Sequence, residues 1–210
     1  MKCLICAKFC IGVMCKECLD LIPFSPSVRE VSGVRVYCFF AYSDIDFLLK
    51  AKYYAIGSRI FGILGRLAGE YFFSQEAMKG VDFSEVKMIG IDDCVRSFYS
   101  HTGILVREFS RASAKSSLNS YTTRKKQHLI TPIYGELKAK NQISYAGKSL
   151  AYRQANKRGL TFKTKSNNAK SFVIVDDIIT TGTSFNEAIE VLQSNDAKVL
   201  FCLSLCNAAL

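Results

Sequence analysis

The chain has 210 residues, 49% hydrophobic and 22% charged, a balance that lets one domain of ordinary size enclose a real core and excludes wholesale disorder. Formal net charge is +10, yet its distribution says more. Between Arg107 and Lys170 there are 15 Lys or Arg against Glu108 and Glu136, which leaves the rest of the chain at −3.

The first elements are cysteines. Five of the nine fall within the first eighteen residues, and an odd number crowded this way points to metal binding rather than disulfides. Cys3-x2-Cys6 and Cys15-x2-Cys18 make two knuckles, the spacing that sets four thiolates around a tetrahedral Zn²⁺, with Cys10 between them as an alternative fourth ligand. Four thiolates leave no open position, so such a metal would be structural; the plainer reading is a set of free, partly buried thiols. The stretch before Cys6 has no long apolar region and no small-residue cleavage site, so no secretory signal is expected and the expected compartment is the cytoplasm. Pro23 and Pro26 then break regular structure, which divides the chain into a cysteine module over 1–24 and a larger domain over 25–210.

Val34 to Tyr42 is rich in β-branched and aromatic residues and predicts a strand, and Arg59 to Phe73 carries Ile60, Ile63, Leu64, Leu67, Ala68 and Tyr71 on one helical face. Glycines 57, 62, 65 and 69 weaken that helix but would let a partner element approach closely. Val86 to Ile91 predicts a second strand, followed by Asp92-Asp93 and a helix from about Thr102 to Ala112. The basic segment, about 111–170, has weak periodicity and reads as a long loop or flexible hood. Phe172 to Val175, Phe185 to Leu192 and Val199 to Leu205 form a last strand, helix, strand unit. That crossover implies a parallel sheet and an α/β fold, and no apolar run approaches the roughly 18 to 20 residues of a membrane span.

Residues 172–184, FVIVDDIITTGTS, are the most informative. A four-residue apolar run suits a strand buried on both faces, and the C-terminal ends of such strands are where open α/β sheets hold ligands. Asp176 and Asp177 follow, adjacent carboxylates that suit two vicinal ribose hydroxyls or a hydrated Mg²⁺ between phosphates. Thr180, Thr181, Gly182, Thr183 and Ser184 then supply hydroxyls, a glycine for close backbone approach and a helix start whose N–H groups suit an anion. The loop lacks the Lys of a GxxxxGK[ST] motif and the glycine triplet of a dinucleotide fold. Its bland alternative is a helix cap after a strand that ends in acids.

Over all thirteen positions this stretch resembles the motif with which type I phosphoribosyltransferases bind 5-phosphoribosyl-1-pyrophosphate (PRPP). The resemblance implies that Asp176 and Asp177 contact the ribose hydroxyls and that Thr180 to Ser184 hold the 5-phosphate, with Mg²⁺ accompanying PRPP. Joined to the four-cysteine module, the chain resembles end to end the ComF/ComFC family of competence proteins, with weaker similarity at Lys50, at His101-Thr102, and at Arg153, Asn156 and Gly159. Where relatives carry an Arg-Gly-Phe-Asn-Gln-like pyrophosphate loop, this chain reads Ser97-Phe98-Tyr99-Ser100-His101. That departure puts transferase chemistry in question and leaves Asp93 and Arg96 as the candidates for pyrophosphate. The family implies a role in natural transformation at the cytoplasmic face of the inner membrane, with single-stranded DNA and a helicase or DNA channel as partners.

The basic segment bears on that role. Arg124, Lys125, Lys126, Lys138, Lys140, Lys148, Arg153, Lys157 and Arg158 alternate with Tyr121, Tyr134, Tyr145, Tyr152 and Phe162, a pattern that suits phosphate neutralisation plus base stacking. The alternatives are a solvated loop with core tyrosines and attraction to anionic lipid. His101 and His128 lack metal-ligand spacing and are read as structural or surface residues. Two further functions stay open: an active phosphoribosyltransferase on an unknown base, and a DNA-binding regulator gated by PRPP.

Overall fold

The computed structural model describes residues 1–78, 81–95, 98–118, 129–141, 143, 149–163 and 170–208; the side chains of 115–118, 150, 153 and 154 lie outside that description. After a short helix α1 (Lys16–Asp20) come β1 (Ser27–Val31), β2 (Val34–Ala41), α2 (Tyr42–Leu49), a 3₁₀ turn (Lys50–Tyr53), α3 (Gly57–Ser74), β3 (Val86–Gly90) and α4 (His101–Leu118). Three short strands, β4 (Thr131–Ile133), β5 (Leu137–Ala139) and β6 (Leu160–Phe162), and the helix α5 (Leu150–Ala155) lie within the basic segment. The chain closes with β7 (Ser171–Ile179), α6 (Thr183–Gln193) and β8 (Lys198–Asn207).

The main sheet has six strands in the order β1-β2-β8-β7-β3-β4, antiparallel only between β1 and β2, while β5 and β6 form a separate antiparallel pair. The fold is therefore α/β on a mostly parallel sheet, as the terminal strand, helix, strand unit predicts; β7 and β8 are parallel neighbours joined by α6. Parallel strands need helices on both faces. One face packs Phe39, Phe61, Leu64, Phe72, Phe109 and Val173 under α2, α3 and α4, and the other packs Val36, Ile89, Phe172, Ile174, Phe185 and Ile189 under α6. The core strands read as continuous apolar runs because both of their faces are covered.

Two expectations gain detail. Helix α4 runs six residues past Ala112 into the basic segment, where Ser110 donates to the Ile130 carbonyl and Ser113 accepts the Ile130 N–H, so polar residues hold the helix to the next strand. Helices α3 and α4 pack closely across the glycines: a Cβ on Gly69 would lie 2.8 Å from the Ala112 Cβ and 3.2 Å from the Phe109 ring. The glycines that weaken α3 alone are what let its partner approach.

The cysteine module joins the same core. Cys3, Val13, Met14 and Cys18 are buried in the cluster that contains Phe39 and Phe40. Among the described residues no helix is long and apolar enough to cross a membrane.

Candidate functional site

Strand β7 continues through both acids to Ile179, so Asp176 and Asp177 lie inside the sheet rather than beyond it. Successive side chains of a strand point to opposite faces. The two carboxylates nevertheless stay close enough to interact directly, while each also meets different neighbours. On the face covered by α3 and α4, Lys52 Nζ lies 3.2 Å and His101 Nε2 3.5 Å from Asp177 Oδ2. On the face covered by α6, the charge of Arg158 acts on Asp176, whose Oδ1 accepts the Asp177 N–H at 2.9 Å.

Both acids are buried, 7% exposed, and burial alone would push each pKa up. In Asp177 burial is outweighed by the Lys52 ammonium and the His101 ring, which hold the carboxyl well below the usual range. Asp176 goes the other way: burial and the neighbouring Asp177 charge raise it, and Arg158 offsets only part of that rise. His101 is itself lowered, because burial removes water from the ring more effectively than Asp177 repays it. One acid is thus firmly ionised beside a cation while its neighbour holds its proton more tightly. Such a pair can accept from one hydroxyl and donate to, or release a proton toward, another group.

After Ile179 the chain turns through Thr180, Thr181 and Gly182 into α6. Gly182 has φ +81°, the left-handed region, and an added Cβ would meet Val31 Cγ2 at 2.9 Å, so this turn requires glycine twice over. The Thr181 and Thr183 hydroxyls are 2.9 Å apart, and residues 178–185 line a shallow concavity open to solvent. The helix that begins there contributes N–H groups with no intrahelical acceptor. An acid pair, an ammonium and a loop of hydroxyls and amides therefore meet at one end of the sheet.

The other candidates distribute as follows. Asp93 is 7% exposed and both of its oxygens lie 2.9 Å from the Gly135 N–H, so it ties the end of β3 to the turn between β4 and β5; burial raises its carboxyl. Arg96, its expected companion, lies outside the described residues, as do Arg124, Lys125, Lys126, Lys148 and His128, together with the Arg153 side chain. Lys138 lies in β5 of the β5–β6 pair, and Lys140, Lys157 and Arg158 lie in the segments just after β5 and just before β6, where Lys140 N–H bonds the Gly159 carbonyl and Asn141 N–H the Arg158 carbonyl. Glu187 of α6 fastens that pair to the main body by accepting the Leu160 N–H at 2.8 Å and the Arg158 N–H at 3.2 Å.

Lys52 and Arg29 are residues that sequence reasoning missed at the site, and His101, only a weak family resemblance there, reads from the sequence as structural or surface. Lys50, singled out instead, forms an exposed pair with Asp46 at 2.8 Å, whereas Lys52, two residues on, reaches Asp177. Nothing in FLLKAKYY distinguishes the two lysines; the 3₁₀ turn that follows α2 does.

At the N-terminus the sulfurs of Cys3, Cys6, Cys15 and Cys18 all lie within 4.8 Å of one another, with Cys6 and Cys15 at 3.6 Å, a group that could hold a metal such as zinc. Backbone N–H groups of Cys6 and Cys15 lower the Cys3 thiol to about 6, which favours the thiolate a metal needs. Cys10 stands outside the group, its thiol donating to the Gly12 carbonyl at 2.8 Å. Compared with known proteins, the chain matches no family model and no curated protein.

Proposed function

We propose that this protein binds PRPP with Mg²⁺ on a type I phosphoribosyltransferase-like domain and handles incoming single-stranded DNA as a competence protein of the ComF/ComFC type, in the cytoplasm beside the inner membrane. The observation that carries the reading is the meeting of Asp176 and Asp177 with the Thr180–Ser184 turn at the C-terminal end of one buried parallel strand. That is where the ribose ring and the 5-phosphate of one ligand would need an acid pair and a ring of amides and hydroxyls. Asp177, already ionised, would take the ribose hydroxyls or a hydrated Mg²⁺, with Asp176 beside it, while Thr181, Gly182, Thr183 and Ser184 hold the phosphate.

Titration calorimetry with PRPP and Mg²⁺ tests this. Saturable one-to-one binding is expected, weakened about tenfold or more in Asp177→Asn, which keeps the shape and loses the charge. Absence of binding to the wild-type protein would refute it.

The DNA part of the reading is supported by Lys138 in β5 and by Lys140, Lys157 and Arg158 in the segments that flank the β5–β6 pair. Phosphate neutralisation by such a group should make affinity for single-stranded oligonucleotides fall steeply with salt. Arg158 also acts on Asp176, which favours the variant in which PRPP and DNA affect each other's binding. Pyrophosphate release with any nitrogenous base would instead identify an active transferase. The four-cysteine group would hold structural Zn²⁺ and present a docking module to a helicase or DNA channel.

A further inference from the structure

The turn after β7 is not held in shape by its own residues alone, although the Thr181 and Thr183 hydroxyls meet within it. Three contacts reach it from one hairpin, β1–β2, more than 145 positions earlier in the chain. The Arg29 guanidinium donates to the Thr180 carbonyl and, at 3.5 Å, to Asn207 Oδ1 at the end of β8; Asn207 Nδ2 in turn donates to Ser27 Oγ at 3.4 Å. Val31 packs against the bare Cα of Gly182. Ser32, in the left-handed hairpin turn with Gly33, bonds Asn186 in the first turn of α6.

The chemistry of a peptide unit makes the first contact consequential. In a planar trans peptide the C=O and the following N–H point in opposite directions, and among the described residues every peptide is trans. A guanidinium that takes the Thr180 carbonyl on the hairpin side therefore turns the Thr181 N–H away from the hairpin. Among the described residues no backbone or side-chain acceptor meets the N–H of Thr181 or Gly182. A loop meant to bind an anion must turn its carbonyls away from it, and an unassisted loop of threonines and glycine has no reason to hold that arrangement.

We propose that the β1–β2 hairpin is the template of the anion loop, with Arg29 a positioning residue that fixes the Thr180–Thr181 peptide so that its N–H faces the bound phosphate. Arg29 does not touch the ligand: its guanidinium lies behind the peptide. Its Nη1 donates to both the Thr180 carbonyl and Asn207 Oδ1, and the rigid planar guanidinium holds both contacts at once, which a lysine ammonium on a flexible stem does less well. This inference rests on the phosphate-binding reading of the loop.

The test uses the full chain and ribose 5-phosphate, which carries the 5-phosphate without pyrophosphate, followed by amide chemical shifts. Arg29→Met should weaken ribose 5-phosphate by about tenfold or more and displace the Thr181 amide resonance even without ligand, and Arg29→Lys should recover part of both effects. A purely structural role would lower thermal stability without a selective shift at Thr181 and without partial rescue by lysine. If wild type binds and Arg29→Met, folded, binds equally well, or if the Thr181 resonance stays in place in both variants, the positioning role is overturned while the phosphate reading stands. If wild type binds neither ribose 5-phosphate nor PRPP, the phosphate reading falls, and the template role with it.

Discussion

The cysteine cluster and the acid–anion site are built in opposite ways. The four sulfurs come from sixteen consecutive residues and need little more than two knuckles to meet. The site around β7 takes its hydroxyl-rich loop from one turn, but its ammonium comes from 125 residues away and the guanidinium on that loop from 151 residues away. A local cluster can be assembled by a metal ion as the chain folds. A site assembled from distant elements exists only when the whole sheet has formed, so its charges are held by the stability of the core.

The largest expected effect breaks this contrast from the metal side. Although built locally, the module buries Cys3, Val13, Met14 and Cys18 in the main core, so its loss should be felt throughout. Removing metal with a chelator, or replacing Cys18 with Ser, should lower the midpoint of thermal unfolding by roughly 10 °C or more. If the midpoint is unchanged, the module is an appendage after all.

Lys52→Met comes next. It leaves Asp177 buried without its ammonium, and should cost about 2–3 kcal/mol in denaturant unfolding near neutral pH. The pH dependence gives the sign. Asp177 is depressed in the folded protein, so its stabilisation is present above about pH 4 and is lost as pH falls below that. In Lys52→Met the folded carboxyl rises toward or above its ordinary value, so that acid-side loss should shrink or reverse.

Asp176 has the opposite sign. Its carboxyl is raised on folding, so the folded protein holds that proton more tightly than the unfolded chain, and stability falls as pH rises past about 4. Asp176→Asn should therefore stabilise the protein by about 1–2 kcal/mol at pH 7 and flatten that slope, while weakening PRPP. A destabilised Asp176→Asn would mean that Arg158 compensates the charge fully. Smallest of all, Lys50→Ala removes an exposed pair and should leave the unfolding midpoint unmoved.

What the sequence made legible follows the same division. Knuckle spacing is local, and so are the apolar run of β7, its two acids and the glycine of the turn; each could be read from neighbours alone. The acids nevertheless sit within the strand rather than after it, because β7 stays paired to β8 as far as Ile179 with Asn207. Strand β1 was not legible, since SVREV is a half-exposed edge strand directly after Pro26. Three-residue strands β4, β5 and β6 are too short for any alternation to show inside a basic, polar segment. The partners Lys52 and Arg29 were invisible because each is ordinary in its own stretch, and His101, only a weak family resemblance and by its sequence a structural or surface residue, likewise acquires its role through long-range register. Lys50 and Lys52 make the point most sharply, since only the fold separates a solvent pair from a buried one.

The central claim, that the turn after β7 cradles the phosphate of a sugar phosphate, is most directly tested by mapping amide shifts as PRPP and Mg²⁺ are added to the wild-type protein. The largest movements should fall on Thr181 to Ser184, with smaller ones at Asp176 and Asp177. Movements confined to the β5–β6 pair, with residues 180–184 silent, would contradict it.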